Sequence, residues 1–136
     1  MDELAALSRR MFGSAELYAR TGGMHIAALA AGSRFIARED VGRHNAVDKV
    51  LGRALLDGID LGGSILLTSG RIASDMAAKA INAGIPLLAS RSIPTTEAFS
   101  LAVDAGLTLV GRLGSASPIV YTSGERVLAD QPDLSM

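Results

Sequence analysis

The 136 residues carry thirteen basic and fourteen acidic side chains for a net charge of −1; almost half are hydrophobic, only five are aromatic and none is Trp. That length suffices for one domain with a core packed from Leu, Ile, Val and Ala, and the charge balance argues against a broad nucleic-acid surface. The lack of cysteine excludes disulfides, Cys-ligated zinc, iron–sulfur clusters and thiol or persulfide chemistry by these residues, and no apolar run reaches the roughly 18 residues of a membrane span.

The opening MDELAALSRRMF lacks the charged-then-apolar layout of a secretory leader, so a cytoplasmic location is the expectation. Leu4, Leu7, Met11 and Leu17 have helical spacing over residues 2–20, ending before Thr21-Gly22-Gly23. Met24–Ala31 and Arg34–Ala37, separated by Gly32-Ser33, read as a β-hairpin. Asn45 is the expected cap of the next helix, with Asp48 in its first turn, an apolar face of Val47, Val50, Leu51, Ala54 and Leu55, and Gly58 at its close. A regular alternation follows: strand Ser64–Thr68, helix Ala73–Ala83, strand Pro86–Ser90, helix Thr96–Ala105, strand Leu107–Gly111 and a last strand Pro118–Thr122. Helices closing on Gly84 and Gly106 run directly into apolar strands, the pattern of a sheet covered on both faces. The fold class expected is α/β, a three-layer α-β-α domain around one mixed sheet, occupying residues 1–127 and followed by a flexible tail, 128–136.

Eleven of the thirteen basic residues are Arg. Genomic composition and selection for bidentate anion binding both account for that bias, and position is what separates them. Four apolar strands run into an arginine: Arg38, Arg71, Arg91 and Arg112. Ligands of open α/β sheets bind beyond the carboxyl ends of the strands, where gathered arginines suit a phosphate-bearing ligand; exposed loop residues solvating strand ends are the alternative. The densest polar stretch runs from Arg38-Glu39-Asp40-Val41-Gly42-Arg43-His44-Asn45 into Asp48-Lys49, placing six charged side chains at a helix entrance. His44 is a hydrogen bonder, a base or a metal ligand by chemistry, and a structural hydrogen bonder by frequency. Ser69-Gly70-Arg71 lies between a strand and a helix, where backbone N–H groups can cradle a phosphate. Thr21-Gly22-Gly23-Met24-His25 reads as a tight turn leading to a satisfied core histidine.

TGGMHIAAL, REDVGRHNAVDKVLGRAL, LLTSGR, NAGIPLLAS and AGLTLVGRL…VYT, in this order, resemble the C-terminal domain of the formate dehydrogenase accessory sulfurtransferases, the FdhD family, over Leu4 to Val127. The resemblance implies a cytidine-deaminase-like fold, a homodimer, and a part in maturing formate dehydrogenase. Members of that family take persulfide sulfur from a cysteine desulfurase on a CxxC loop. They pass it to the metal of bis-molybdopterin guanine dinucleotide, for which GDP is a mimic. The resemblance assigns cofactor binding to Arg38, Gly42, Arg43, His44, Asn45, Ser69, Gly70, Arg71, Arg112, Gly114 and Ser115. The family's last loop usually carries an aromatic residue and an arginine, where Arg112-Leu113-Gly114-Ser115-Ala116-Ser117 stands here. With no cysteine, the chain is expected to be an isolated domain, an expression fragment or a truncated gene product, inactive in sulfur transfer alone. Zinc deaminase chemistry is a rival, but GRHNA lacks the glutamate two residues after His44 and SGRIAS lacks a cysteine. The competing function is a free-standing nucleotide-binding or scaffold domain; an independent hydrolase would have to use Ser69 and His44.

Overall fold

A computed structural model describes residues 1–127, apart from the side chains of residues 17–19; the tail expected at 128–136 lies outside the described residues. The elements in chain order are α1 (Asp2–Gly13), α2 (Glu16–Thr21), β1 (His25–Ala31), β2 (Arg34–Asp40), α3 (Arg43–Leu56), β3 (Ile65–Thr68), α4 (Ser74–Asn82), β4 (Leu87–Ser90), α5 (Thr96–Ala105), β5 (Thr108–Gly111) and β6 (Ile119–Val120). The six strands form one mixed sheet in the order β2-β1-β3-β4-β5-β6. β3, β4 and β5 are parallel, and β2, β1 and β6 complete the sheet through antiparallel pairings.

Each central strand alternates between two cores. Leu66, Leu88 and Leu109 pack under α3, α4 and α5 with Val47, Met76 and Ala102. Leu67, Ala89 and Val110 face the other way, against Leu4 and Met11 of α1. Helices therefore cover both faces, as continuous apolar strands demand. The helix–Gly–strand joints share one device. Gly58, Gly84 and Gly106 have φ of +67°, +76° and +72°, and the next residue's N–H reaches back to Ala54, Ala80 and Ala102 respectively. That left-handed C-terminal turn satisfies carbonyls the helix would otherwise strand, and it favours glycine.

Four expectations are corrected. The first helix breaks in two at Gly13, where Ser14 Oγ donates to Met11 O at 2.8 Å. β2 extends beyond Ala37 to Asp40, pairing His25 with Asp40; it is an edge strand, and an edge accommodates charge. Asn45 does not cap α3. Gly42 takes that position with extended backbone, its N–H held 3.0 Å from Asp40 Oδ1, and Asp48 lies beyond the first turn, paired with Lys79 at 2.6 Å. The final strand shortens because Thr122 Oγ1 takes over its ladder, accepting from Leu109 N at 2.9 Å and donating to Leu107 O at 2.6 Å.

Candidate functional site

The pairing directions bring the carboxyl ends of β2, β3, β4 and β5 to one edge of the sheet, together with the start of β1 and the N-termini of α3 and α4. Arg38, Arg71, Arg91 and Arg112 consequently share that edge, and all four are exposed. Neither composition nor spacing could establish this; strand order does.

The two polar stretches meet at Gly70. A Cβ there would stand 2.7 Å from Arg43 Cδ and 2.9 Å from Arg43 Cβ, so the Arg43 side chain lies directly on the β3–α4 loop. Beside it, His44 Nε2 is 2.9 Å from Asp75 Oδ2 in the first turn of α4. His44 Nε2 is thus ion-paired with Asp75, while Arg43 Nε and His44 Nδ1 are buried with no hydrogen-bond partner among the described residues. Desolvation pushes the Asp75 carboxyl up, but the His44 and Arg43 charges and the Met76 N–H together outweigh it and hold it below the usual carboxylate range. Asn45 is exposed and reaches Asp40 Oδ1 at 3.4 Å. The hydrogen bond from Lys49, helped by the Gly42 N–H, lowers Asp40 to about 2.

Two backbone amides of the β3–α4 loop are committed within the protein. Ser69 N donates to Ile26 O at 2.9 Å, and Gly70 N donates to Thr68 Oγ1 at 3.1 Å. Their N–H groups are thus committed, and the exposed Arg71 guanidinium is what the loop offers an anion. Arg38 folds its Nη1 onto Ala37 O at 2.7 Å on the edge strand. Arg112, Gly114 and Ser115 belong to the β5–β6 turn, two strands along from β3. Arg112 N is tied to Ser92 O at 2.8 Å, and Ser115 Oγ donates to Arg112 O at 2.7 Å. Arg112 has a φ of +54°, sparsely populated for a residue with a Cβ, and it sits at the rim of the edge.

His25 is a correction: it is half-buried rather than a core residue, and its Nδ1 lies 3.2 Å from Ser69 Oγ. Ser69 therefore partners His25, not His44. Both line a cavity of about 290 Å³ with Gly22, Gly23, Met24 and Arg91. The Arg91 guanidinium stacks 4.4 Å above the Phe12 ring of α1. The strand-end pattern singled out Arg91; only the pairing of β1 with β3 reveals His25 beside it.

The chain is an α/β domain with one mixed sheet and a basic, glycine-bearing carboxyl edge. The FdhD/NarQ family matches residues 1–128, and the chain belongs to that family. It is 49% identical over 127 residues to a sulfur carrier protein FdhD of Streptomyces avermitilis, covering 91% of this chain and 45% of that protein. To the sulfur carrier protein FdhD of Mycobacterium tuberculosis it is 47% identical over 129 residues, 93% of this chain and 47% of the relative. A crystal structure described as a formate dehydrogenase accessory protein from Desulfotalea psychrophila superposes with a TM-score of 0.85 at 38% identity, covering 93% of this chain and 57% of that one. The chain spans about half the length of the curated relatives it matches.

Proposed function

We propose that this chain is the cofactor-holding part of a sulfur carrier serving formate dehydrogenase, and that its basic edge takes the phosphates and guanine nucleotide of bis-molybdopterin guanine dinucleotide. The observation that carries this reading is the convergence of Arg38, Arg71, Arg91 and Arg112 on one sheet edge, beside the N-termini of α3 and α4. The residues fit such a group. Among the described residues, Arg43 Nε and His44 Nδ1 are buried polar atoms without a hydrogen-bond partner at that edge, and guanidinium forks match phosphate oxygens. In this reading Arg71 neutralises a phosphate, Arg43 is held in place by its packing on Gly70, and Arg112 closes the far rim. The bound cofactor would supply the metal that accepts sulfur. The thiol that carries the sulfur from a cysteine desulfurase is not among these 136 residues, which contain no cysteine. Homodimer formation belongs to the same proposal.

Titration with GDP and GMP, with adenine nucleotides as controls, tests it. Hydrogen bonds to charged groups contribute about 1.5–3 kcal/mol, so Arg71→Ala is expected to weaken GDP binding about ten- to a hundred-fold. Equal binding of GDP by wild type and folded Arg71→Ala removes Arg71 from the site, and equal binding of adenine and guanine nucleotides removes the guanine assignment. A scaffold or nucleotide-binding role without sulfur transfer is the second reading, and the absence of cysteine from these 136 residues fits both.

A further inference from the structure

Among the described residues, the cavity at the head of β1 is lined by Gly22, Gly23, Met24, His25, Ser69 and Arg91. Ser69 Oγ accepts the Ile26 N–H at 3.0 Å and stands 3.2 Å from His25 Nδ1. A hydroxyl has one hydrogen to give. That oxygen can accept a second bond or donate its one hydrogen; if it donates to Nδ1, Nδ1 is the acceptor and the ring proton stays on Nε2. The imidazole's second nitrogen then becomes a donor. Arg91, anchored by stacking on Phe12, adds a fixed positive charge to the same wall. Gly22, at a φ of +70°, turns the chain from α2 into β1 and also lines the cavity.

We infer that this cavity is an oxyanion site for a phosphate group, in which His25 Nε2–H is the directional donor, Arg91 supplies the charge, and Ser69 is a positioning residue that fixes the His25 tautomer. It shares no lining residue with the Arg43–His44–Asp75 cluster, which adjoins it through Gly70, the residue after Ser69. The inference deepens the cofactor reading, and it rests on that reading only for the nucleotide to which the phosphate is attached.

The full chain labelled with ¹⁵N reports the tautomer directly through long-range imidazole correlations, and it contains only two histidines, so a His44→Gln variant assigns the spectrum. Inorganic phosphate and GDP are titrated separately. His25 is expected to show the Nε2–H pattern in the free protein and to shift with both ligands. His25→Ala is expected to weaken phosphate binding about ten- to a hundred-fold. His25→Gln, which keeps an N–H donor of similar reach, should retain most of the affinity and guards against a folding artefact. Ser69→Ala should abolish the tautomer preference and weaken binding by a smaller factor. An Nδ1–H tautomer in the free protein overturns the inference, as does wild-type phosphate affinity in folded His25→Ala. GDP that binds through Arg71 without moving His25 sinks the inference and leaves the cofactor reading standing. Phosphate that moves His25 while no guanine nucleotide binds sinks the cofactor reading and supports the oxyanion site.

Discussion

Gly70 shows how much one missing Cβ can decide. The clash a side chain would make is with Arg43 Cβ at 2.9 Å as well as with the more mobile Cδ at 2.7 Å, so rotating the arginine's far end cannot relieve it. The start of α3 or the β3–α4 loop has to move. Overpacking of this kind costs about 1–3 kcal/mol. Gly70→Ala is therefore expected to lower the urea midpoint by a corresponding amount and to weaken GDP binding, whereas Gly63→Ala, with open space around its Cβ position, should stay within about 0.5 kcal/mol of wild type. Equal midpoints for the two variants would show that the loop yields freely. The sequence marked Ser69-Gly70-Arg71 as a unit, but not its long-range partners. Its amide and hydroxyl partners include Ile26 and His25, more than forty residues away, and no local spacing rule encodes that reach.

Elements joined by local chemistry were legible, and those joined by distant pairing were not. Gly58, Gly84 and Gly106 announced their helix ends because a left-handed C-terminal turn involves only neighbouring residues. The entrance to α3 was obscured because β2 carries its charges to the edge of the sheet. There, Asp40 acts across the strand–helix joint, accepting from Gly42 N at 3.0 Å and pairing with Lys49 at 2.8 Å. The hydrogen bond from Lys49 is the foremost cause of its lowered value of about 2, against 3.8 unperturbed. A carboxyl depressed in the folded state contributes stability that is complete above its unfolded value and is lost as pH falls through its folded value. Wild type should accordingly exceed Asp40→Asn in urea midpoint at pH 7. The difference should begin to shrink below about pH 4 and vanish only below about pH 2, and salt should reduce it throughout. Asparagine keeps an acceptor for the Gly42 N–H, so the comparison isolates the charge. A difference that is constant from pH 7 to pH 2 would assign the stabilisation to the hydrogen bond rather than to the ion pair.

For the molecule as a whole, holding a cofactor and carrying sulfur are separable chemical tasks. Holding requires shape and charge, and the carboxyl edge gathers four exposed arginines. Carrying requires a thiolate that accepts sulfur from a donor and later surrenders it, and neither a serine hydroxyl nor a methionine thioether forms a persulfide. These 136 residues contain no cysteine. Incubated with a cysteine desulfurase and radiolabelled cysteine, then separated without reductant, this chain is expected to hold no covalent label. It is also expected to leave formate dehydrogenase unactivated when supplied alone. If its edge binds as proposed, it should compete with a complete FdhD relative for cofactor, so that adding it in excess lowers the relative's ability to activate the enzyme. An Arg71→Ala version should compete less. Competition by both versions alike would place the interference somewhere other than the basic edge. Label held covalently on this chain would mean that a residue other than cysteine accepts the sulfur, and the separation of holder from carrier would fail with it.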